Sequence, residues 1–211
     1  TVQLKGGNIP APLADLSSLN GSTGFRLDGV DANDGSGYSV SSAGDVNGDG
    51  FDDVIIGAFG TAPDSKIQAG ESYVVFGKSS GWSASLDLSS LDGSNGFRLD
   101  GVDKWDLSGT SVSSAGDVNG DGFDDVIIGA IGADPDGKSN AGESYVVFGK
   151  DSGWSSDIDL SSLNGSNGFR LDGVDASDYS GTSVSSAGDV NGDGYGDIII
   201  GGPSAAPDGK R

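Results

Sequence analysis

Three copies of a nine-residue string carry the side chains best suited to chemistry in this chain. They span 45–53, 117–125 and 189–197, and the first reads Asp-Val-Asn-Gly-Asp-Gly-Phe-Asp-Asp. Each copy places oxygen-bearing side chains at positions 1, 3, 5 and 9, and a glycine at position 6. Calcium takes about 6–8 oxygen ligands, so a loop that supplies them must turn sharply, and glycine permits the positive φ of such a turn. The strings therefore predict calcium-binding loops.

We expect each loop to contribute four side chains and one backbone carbonyl, the carbonyl coming from position 7 as in related calcium loops. Position 8 is Asp, Asp and Gly in the three copies, so we do not assign it as a ligand. The expected ligands of three Ca²⁺ sites are Asp45, Asn47, Asp49, Phe51, Asp53, Asp117, Asn119, Asp121, Phe123, Asp125, Asp189, Asn191, Asp193, Tyr195 and Asp197.

Two other interpretations fit the strings less well. Asn-Gly and Asp-Gly are strong hairpin signals, but a bare hairpin turn does not require further carboxylates at alternate positions. An EF-hand requires a helix after the loop, whereas Val-Ile-Ile or Ile-Ile-Ile follows here, which is typical of a strand. We therefore favour a calcium loop inside a β-hairpin.

Composition excludes several classes of function. The 211 residues carry a formal net charge of −21, which disfavours binding to nucleic acid or to anionic membranes. The sequence has no His and no Cys, the residues that most often serve as general base or thiol nucleophile. A two-carboxylate glycosidase stays formally open, but most aspartates already belong to repeated loops. We expect no enzymatic activity, and no membrane insertion because no run of 18 apolar residues is present.

The strings belong to a repeat of 72 residues that runs through the whole chain. Each repeat contains four short strand patterns, which we call A, B, C and D, separated by Gly, Asp and Ser turns. In the first full repeat these are 38–43, 53–57, 72–76 and 96–100. Four strands per repeat, with small residues in strand A, predict an all-β chain built of β-propeller blades.

The phase of the repeat predicts half-blades at both ends of a single domain over 1–211. We expect strands C and D in 1–34, one blade in each of 35–106 and 107–178, and strands A and B in 179–211. Three blades are too few for a propeller ring, since rings of four to eight are typical. Two alternatives follow: a homodimer that joins its half-blades into a six-bladed ring, or a segment of a longer propeller.

The stretch 109–130, Gly-Thr-Ser-Val-Ser-Ser-Ala-Gly-Asp-Val-Asn-Gly-Asp-Gly-Phe-Asp-Asp-Val-Ile-Ile-Gly-Ala, resembles the FG-GAP repeat of integrin α-subunit propellers. The resemblance extends over all three repeats. It implies calcium in the loops between strands A and B. It also implies ligand binding on the opposite face, at the loops that join D to A and B to C.

Other residues have two possible roles. The D–A loops begin and end with Asp in each copy, as in 103–106, so these aspartates either cap the turn or help form a ligand face. Trp105 and Tyr179 in these loops are candidate stacking platforms for a sugar or a protein. We expect Trp82 and Trp154 to pack over blade edges, and the repeated Glu71 and Glu143 to be architectural.

These observations lead to three functional hypotheses. The first is an extracellular or cell-surface adhesion or binding module with structural calcium, which holds an unidentified protein or glycan. Weak calcium loops, with Kd of about 10⁻⁴–10⁻³ M, would fill only outside the cytosol. The second is a structural surface or matrix component. The third is a non-catalytic accessory domain of a secreted polysaccharide-acting enzyme.

Overall fold

The computed structural model describes residues 2–4 and 15–206. The described residues form β-strands and short 3₁₀ helices, with no α-helix among them. The strands are β1 Val2–Leu4, β2 Phe25–Asp28, β3 Ser39–Gly44, β4 Asp53–Ala58, β5 Glu71–Val75, β6 Ser85–Asp87, β7 Gly96–Asp100, β8 Ser108–Gly116, β9 Asp125–Ala130, β10 Glu143–Val147, β11 Asp157–Asp159, β12 Gly168–Asp172, β13 Ser183–Gly188 and β14 Asp197–Gly201. The 3₁₀ helices are Leu16–Ser18, Pro63–Ser65, Leu88–Ser90, Pro135–Gly137 and Leu160–Ser162.

The strands assemble into propeller blades, which confirms the predicted fold class. Strands β3, β4, β5 and β7 pair antiparallel as A, B, C and D of the first whole blade. Strands β8, β9, β10 and β12 repeat this order in the second. The pair β1–β2 precedes the first blade, and the pair β13–β14 follows the second. Both β1 and β14 have a strand neighbour on one side only among the described strands, so the blades do not close into a ring.

Two of the sheets contain an additional short strand that was not predicted from the sequence. Strand β6 pairs parallel with β2, and β11 pairs parallel with β7, so each extends the sheet that precedes its own repeat. Three residues are too few to show an alternating pattern, which is why these strands escaped the sequence analysis. They cover D-strand edges that would otherwise expose unpaired backbone groups.

Small residues let the inner strands approach one another. The Oγ of Ser39 donates to the backbone oxygen of Gly109 at 2.8 Å, and Ser111 repeats this contact with Gly181 at 2.7 Å. A Cβ at Gly129 would lie 2.0 Å from the oxygen of Gly181, so any larger residue there would separate adjacent blades. The close approach of adjacent blades therefore explains the Ser and Gly residues at these positions.

The apolar core lies between successive sheets. Ile55 of the first blade shares a buried cluster with Val112 and Ile128 of the second. Ile127 of the second blade shares another with Val184 of β13. Each blade therefore buries its side chains only against its neighbours, as expected of a repeat architecture.

The two repeated tryptophans pack over the blade edge, as predicted. Trp154 stacks on Phe97 with ring centroids 4.2 Å apart, and Trp82 stacks on Phe25 at 3.8 Å. Lys150 lies over the Trp154 ring, with its Nζ 4.8 Å from the centroid. Each indole thus joins one repeat to the D strand of the repeat before it.

The repeated glutamates are buried at the start of the C strands, in agreement with the architectural interpretation. The Tyr73 hydroxyl donates to Glu71, and the Tyr145 hydroxyl donates to Glu143. Burial raises the pKa of the Glu71 carboxyl, although the Tyr73 hydrogen bond and the charge of Arg98 act in the opposite direction. Each glutamate links its own strand to the arginine of the D strand beside it.

Candidate metal centre

The three oxygen-rich strings form the hairpin loops between strands A and B, at β3–β4, β8–β9 and β13–β14. The glycine at position 6 has φ of 87° in Gly50, 92° in Gly122 and 91° in Gly194. No atom lies within 4 Å of a Cβ placed on any of these three. The glycine is therefore required by backbone conformation and not by lack of space, as the sequence predicted.

The side chains at positions 1 and 3 converge on one backbone amide. In the first loop, the N–H of Asp49 donates to Oδ1 of Asp45 at 3.1 Å and to Oδ1 of Asn47 at 2.9 Å. Oδ2 of Asp45 also accepts from the N–H of Gly50 at 2.9 Å. Equivalent bonds recur in the second and third loops. The loops therefore draw these oxygens together without help from the rest of the fold.

The side chain at position 5 belongs to the same turn. Oδ1 of Asp49 accepts from the N–H of Phe51 at 2.9 Å, and Oδ2 accepts from the Asn47 amide at 3.2 Å. The second loop has both bonds, and the third has the bond between Asp193 and Tyr195. Positions 1, 3 and 5 thus lie around one short stretch of backbone in every copy.

The aspartate at position 9 lies deeper and joins the loop to the sheet. Asp125 is fully buried, and its two oxygens accept from the N–H groups of Val118 and Gly149, each at 2.9 Å. Asp53 makes the same pair of bonds with Val46 and Gly77. Asp197 keeps the bond to Val190 at 2.8 Å. The amide that follows strand C was not predicted from the sequence, where the Phe-Gly pair at 76–77 and 148–149 is the one signal for it.

In the first two loops, the backbone N–H donors do not fully offset burial and the negative charge of the neighbouring carboxylates. Burial raises the pKa of Asp53 to about 7, two backbone N–H donors oppose this, and the nearby carboxylates of Asp49 and Asp45 raise it further. The pKa of Asp125 rises to about 6 for the same reasons, with Asp121 and Asp117 as the nearby carboxylates. A bound cation would remove this repulsion.

Position 8 has a structural role that the sequence did not reveal. Oδ2 of Asp124 accepts from the N–H of Asp45 in the preceding loop at 2.9 Å, and the N–H of Asp124 donates back to the Asp45 oxygen at 3.1 Å. Gly196 retains only a backbone bond, to the oxygen of Asp117 at 2.7 Å. Position 8 therefore connects neighbouring loops, and the Asp124 side chain bonds to the preceding loop.

The aromatic residue at position 7 also contacts the preceding loop. A Cβ on Gly48 would lie 2.4 Å from the Phe123 ring, and one on Gly120 would lie 2.4 Å from the Tyr195 ring. Each ring therefore covers a glycine of the loop before it. The backbone N–H at this position donates to position 5, so the residue belongs to both loops.

The donor set fits a hard cation such as calcium. It consists only of carboxylate, amide and carbonyl oxygens, which calcium prefers. In the described part of the chain, no three His, Cys, Asp or Glu side chains lie close enough together to hold a metal ion. The carboxylates are instead bonded to backbone N–H groups, as detailed above. The ligand assignment for all three loops stays a prediction.

The D–A loops lie at the opposite ends of the strands, and their aspartates cap the turn. Oδ2 of Asp106 accepts from the N–H of Asp103 at 2.9 Å, and the other two copies repeat this bond. Burial raises the pKa of Asp106 to about 7, and the carboxylates of Glu143 and Asp103 add to the effect. Trp105 is 52% exposed beside this turn. The capping interpretation is thus confirmed, while the aromatic side chain stays available to a ligand.

Comparison with known proteins agrees with this architecture. The family model described as "FG-GAP repeat" matches 36–75, 108–147 and 180–210, which together make up more than half of the chain. Each matched stretch begins beside strand A and contains one oxygen-rich loop. No helix in the described part of the chain is long and apolar enough to cross a membrane.

Relatives of this chain include integrin α subunits and phospholipases. Integrin alpha pat-2 of Caenorhabditis elegans is 34% identical over 181 residues, which cover 78% of this chain and 13% of that protein. Integrin alpha-5 of Xenopus laevis is 31% identical over 169 residues, covering 78% of this chain and 14% of that protein. Phosphatidylinositol-glycan-specific phospholipase D of Bos taurus is 30% identical over 175 residues, covering 83% of this chain and 19% of that protein. The chain spans less than a fifth of the length of these relatives. Because the family model matches three repeats, and each lies in a propeller blade, the chain belongs to the FG-GAP repeat family.

Proposed function

We propose that this chain is a calcium-stabilised extracellular binding or adhesion module. The observation that carries the proposal is the threefold recurrence of one oxygen-rich loop with the same internal hydrogen bonds. Relatives named as integrin α subunits support the adhesion role. The net charge of −21 agrees with a protein that works where calcium is abundant.

The side chains at positions 1, 3, 5 and 9, together with the carbonyl at position 7, would hold the ion in each loop. Calcium would neutralise carboxylates that the fold places near one another. It would also hold the A–B hairpin against their repulsion. Its role is structural, because each loop is tied to the adjacent blade through positions 7 and 8. Loops of this type fill at millimolar calcium, which favours an extracellular or cell-surface location.

The number of bound ions tests the ligand assignment directly. Isothermal titration of the calcium-free chain is expected to give three sites, and Asp121→Ala is expected to reduce the number to two. The hydrogen bonds of Asp121 lie within its own loop, so the variant should fold normally. The matched control is Asp52→Ala, which removes an exposed aspartate at the unassigned position 8 and should retain three sites. Three sites in Asp121→Ala would refute the assignment.

The D–A loops supply the proposed ligand face. A cleft of about 350 Å³ is lined by the two sequence neighbours of Trp105, which are Lys104 and Asp106, and by groups that include Glu143 and Arg170. Carboxylates and a guanidinium in the cleft, with an exposed indole in the same D–A loop, suit hydroxyl-rich or cationic ligands. We expect binding to a glycan or an extracellular protein to weaken about tenfold or more in Trp105→Ala. An array of glycans and matrix proteins measures this, and the control is Leu16→Ala, which changes an exposed apolar residue outside the D–A and B–C loops.

A second candidate is an accessory domain of an enzyme. Relatives named phosphatidylinositol-glycan-specific phospholipase D favour it, since they match 83% and 79% of this chain, about as much as the integrins do. The expected absence of catalysis in the chain itself stays a prediction. Binding to the array with no turnover of phospholipid or polysaccharide would fit either candidate. The domains encoded beside this module would separate them.

A further inference from the structure

One residue, Asp124 at position 8 of the second oxygen-rich loop, bonds to the first loop. Its Oδ2 accepts from the N–H of Asp45 at 2.9 Å, and its own N–H donates to the backbone oxygen of Asp45 at 3.1 Å. Both backbone polar groups of Asp45 are therefore paired with a residue 79 positions later in the chain. Since Asp45 is the ligand assigned to position 1 of the first loop, the backbone of a metal ligand is fixed from outside its own loop.

The direction of the Asp45 carboxylate depends on that backbone. Its Oδ1 accepts from the N–H of Asp49, and its Oδ2 accepts from the N–H of Gly50. A shift of the Asp45 backbone would move both oxygens away from those of Asn47 and Asp49, with which they must converge to hold an ion. Removal of a group that holds a metal ligand in place typically weakens metal binding about 10- to 100-fold.

The fold leaves a fitted space for the Asp124 carboxylate. A Cβ on Gly44 would lie 2.2 Å from Oδ2 of Asp124, so glycine provides the room that this oxygen occupies. The neighbouring backbone is joined as well, because the N–H of Lys150 donates to the oxygen of the buried Val46 at 3.0 Å. The contact therefore lies in a packed junction between the two whole blades.

The third loop supplies a natural comparison. Gly196 occupies position 8 there and keeps the backbone bond, with its N–H donating to the oxygen of Asp117 at 2.7 Å. It has no side chain that could accept from the N–H of Asp117. A Cβ on Gly116, the equivalent of Gly44, would lie no closer than 3.5 Å to its surroundings, so the space that Asp124 fills in the first junction is open in the second.

Asp124 supplies two properties that tune the affinity of calcium loops, which are charge and rigidity. Asp45, Asp49 and Asp53 already bring three carboxylates to the first loop, and Asp124 places a fourth against it. The bonds from Asp124 to both sides of Asp45 provide the rigidity. The second loop receives neither contribution from Gly196.

We propose that Asp124 is a positioning residue for the calcium site of the first loop, across the junction between two blades. The inference rests on the calcium binding proposed above and deepens it, because it states what sets the relative affinities of the sites. A loop is completed by the next repeat where position 8 of that repeat is Asp, and it binds calcium more weakly where position 8 is Gly. The first loop therefore binds calcium more tightly than the second.

A protein in which only the first loop can bind calcium measures the effect. Asp121→Ala and Asp193→Ala each remove a ligand from the second and third loops, so isothermal titration of the full chain then reports the first loop alone. Addition of Asp124→Gly, which copies position 8 of the third loop, is expected to raise Kd about tenfold. An unchanged Kd would overturn the inference. Absence of calcium uptake before Asp124 is changed would refute the calcium site itself, and the inference with it.

Two further substitutions separate positioning from loss of charge. Asp124→Asn keeps an oxygen that can accept from the N–H of Asp45 but removes the charge, so its Kd is expected to stay much closer to the starting value. Asp52→Ala removes the exposed position 8 carboxylate of the first loop itself and should leave Kd almost unchanged. If Asp124→Asn weakens binding as much as Asp124→Gly does, charge alone explains the effect and the positioning role is wrong.

Hydrogen exchange followed by NMR tests positioning without any ion. In calcium-free protein, the Asp45 amide is expected to exchange faster in Asp124→Gly than in the natural sequence, and Asp124→Asn should restore most of its protection. The amide of Phe51, which donates to Asp49 inside the loop, is the internal control. Equal exchange of the Asp45 amide in all three proteins, or equal acceleration at Phe51, would contradict a specific role for Asp124.

The reverse substitution should strengthen the second site. The backbone of Gly196 lies outside the left-handed region, and a Cβ there would lie 3.2 Å from the backbone nitrogen of Asp117, so an aspartate is within reach of that N–H after a small shift. With the first and third loops emptied by Asp49→Ala and Asp193→Ala, Gly196→Asp is expected to lower the Kd of the second loop severalfold. A Kd that stays the same or rises, with an unchanged circular dichroism spectrum, would count against the inference.

Discussion

Removal of calcium with EGTA is expected to lower the melting temperature of this protein by about 3–18 °C. With Kd of about 10⁻⁴–10⁻³ M and about 1 mM calcium, each site contributes roughly 0.5–1.5 kcal/mol to the free energy of unfolding. Three sites together contribute about 1.5–4.5 kcal/mol, and each kcal/mol shifts the melting temperature of a chain this size by about 2–4 °C. Differential scanning calorimetry with and without EGTA measures the shift.

Readdition of ions provides the control. Calcium should restore the melting temperature, while magnesium at the same concentration should restore little of it, because magnesium retains several waters and takes few protein ligands. The Asp121→Ala variant should lose about a third of the calcium-dependent shift. Superimposed melting curves with and without calcium would contradict the structural role.

The substitution Trp154→Ala is expected to reduce the free energy of unfolding by about 3 kcal/mol. The indole stacks on Phe97, packs edge-on against Phe76 and receives Lys150 on its ring. Its removal loses apolar burial and ring contacts and leaves a cavity between two blades, for which costs of about 3–5 kcal/mol are typical. Urea denaturation followed by circular dichroism measures the change.

A second tryptophan in the same chain is the matched control. Trp105 is exposed on a D–A loop and makes none of the ring contacts found for Trp154. Trp105→Ala should therefore change the free energy of unfolding by less than about 1 kcal/mol, as is usual for surface substitutions. Similar losses in the two variants would show that the indole stack contributes little to stability.

The blade strands could be predicted from sequence because their signal is local and repeated. The β-branched run that becomes β9 and the small alternating residues of β8 recur in each repeat, with turn residues between them. Strands β6 and β11 could not be predicted, because they pair with a strand from the repeat before. Three residues carry no periodicity, and only the assembled blade supplies their partner.

In the candidate metal loops, too, some positions are explained by local contacts and others only by the neighbouring blade. Positions 1, 3, 5 and 6 are explained by contacts within nine residues, so the string alone predicts the turn and its oxygens. Positions 7 and 8 contact the preceding loop, 72 residues earlier in the repeat, so their role depends on how blades stack. Position 9 is intermediate: Asp125 bonds to its own loop and to Gly149 after strand C.

The sequence by itself determined the repeat, the strand pattern and the oxygen-rich turns of this FG-GAP protein. Those features follow from side-chain periodicity and from glycine's backbone freedom, which act over a few residues. Only the tertiary structure decided which side chains join one blade to the next and which are left exposed. Ile127 and Ile199 occupy the same place in the repeat, yet one is buried and the other is exposed. The difference arises because burial depends on the neighbouring blade, which no local pattern records.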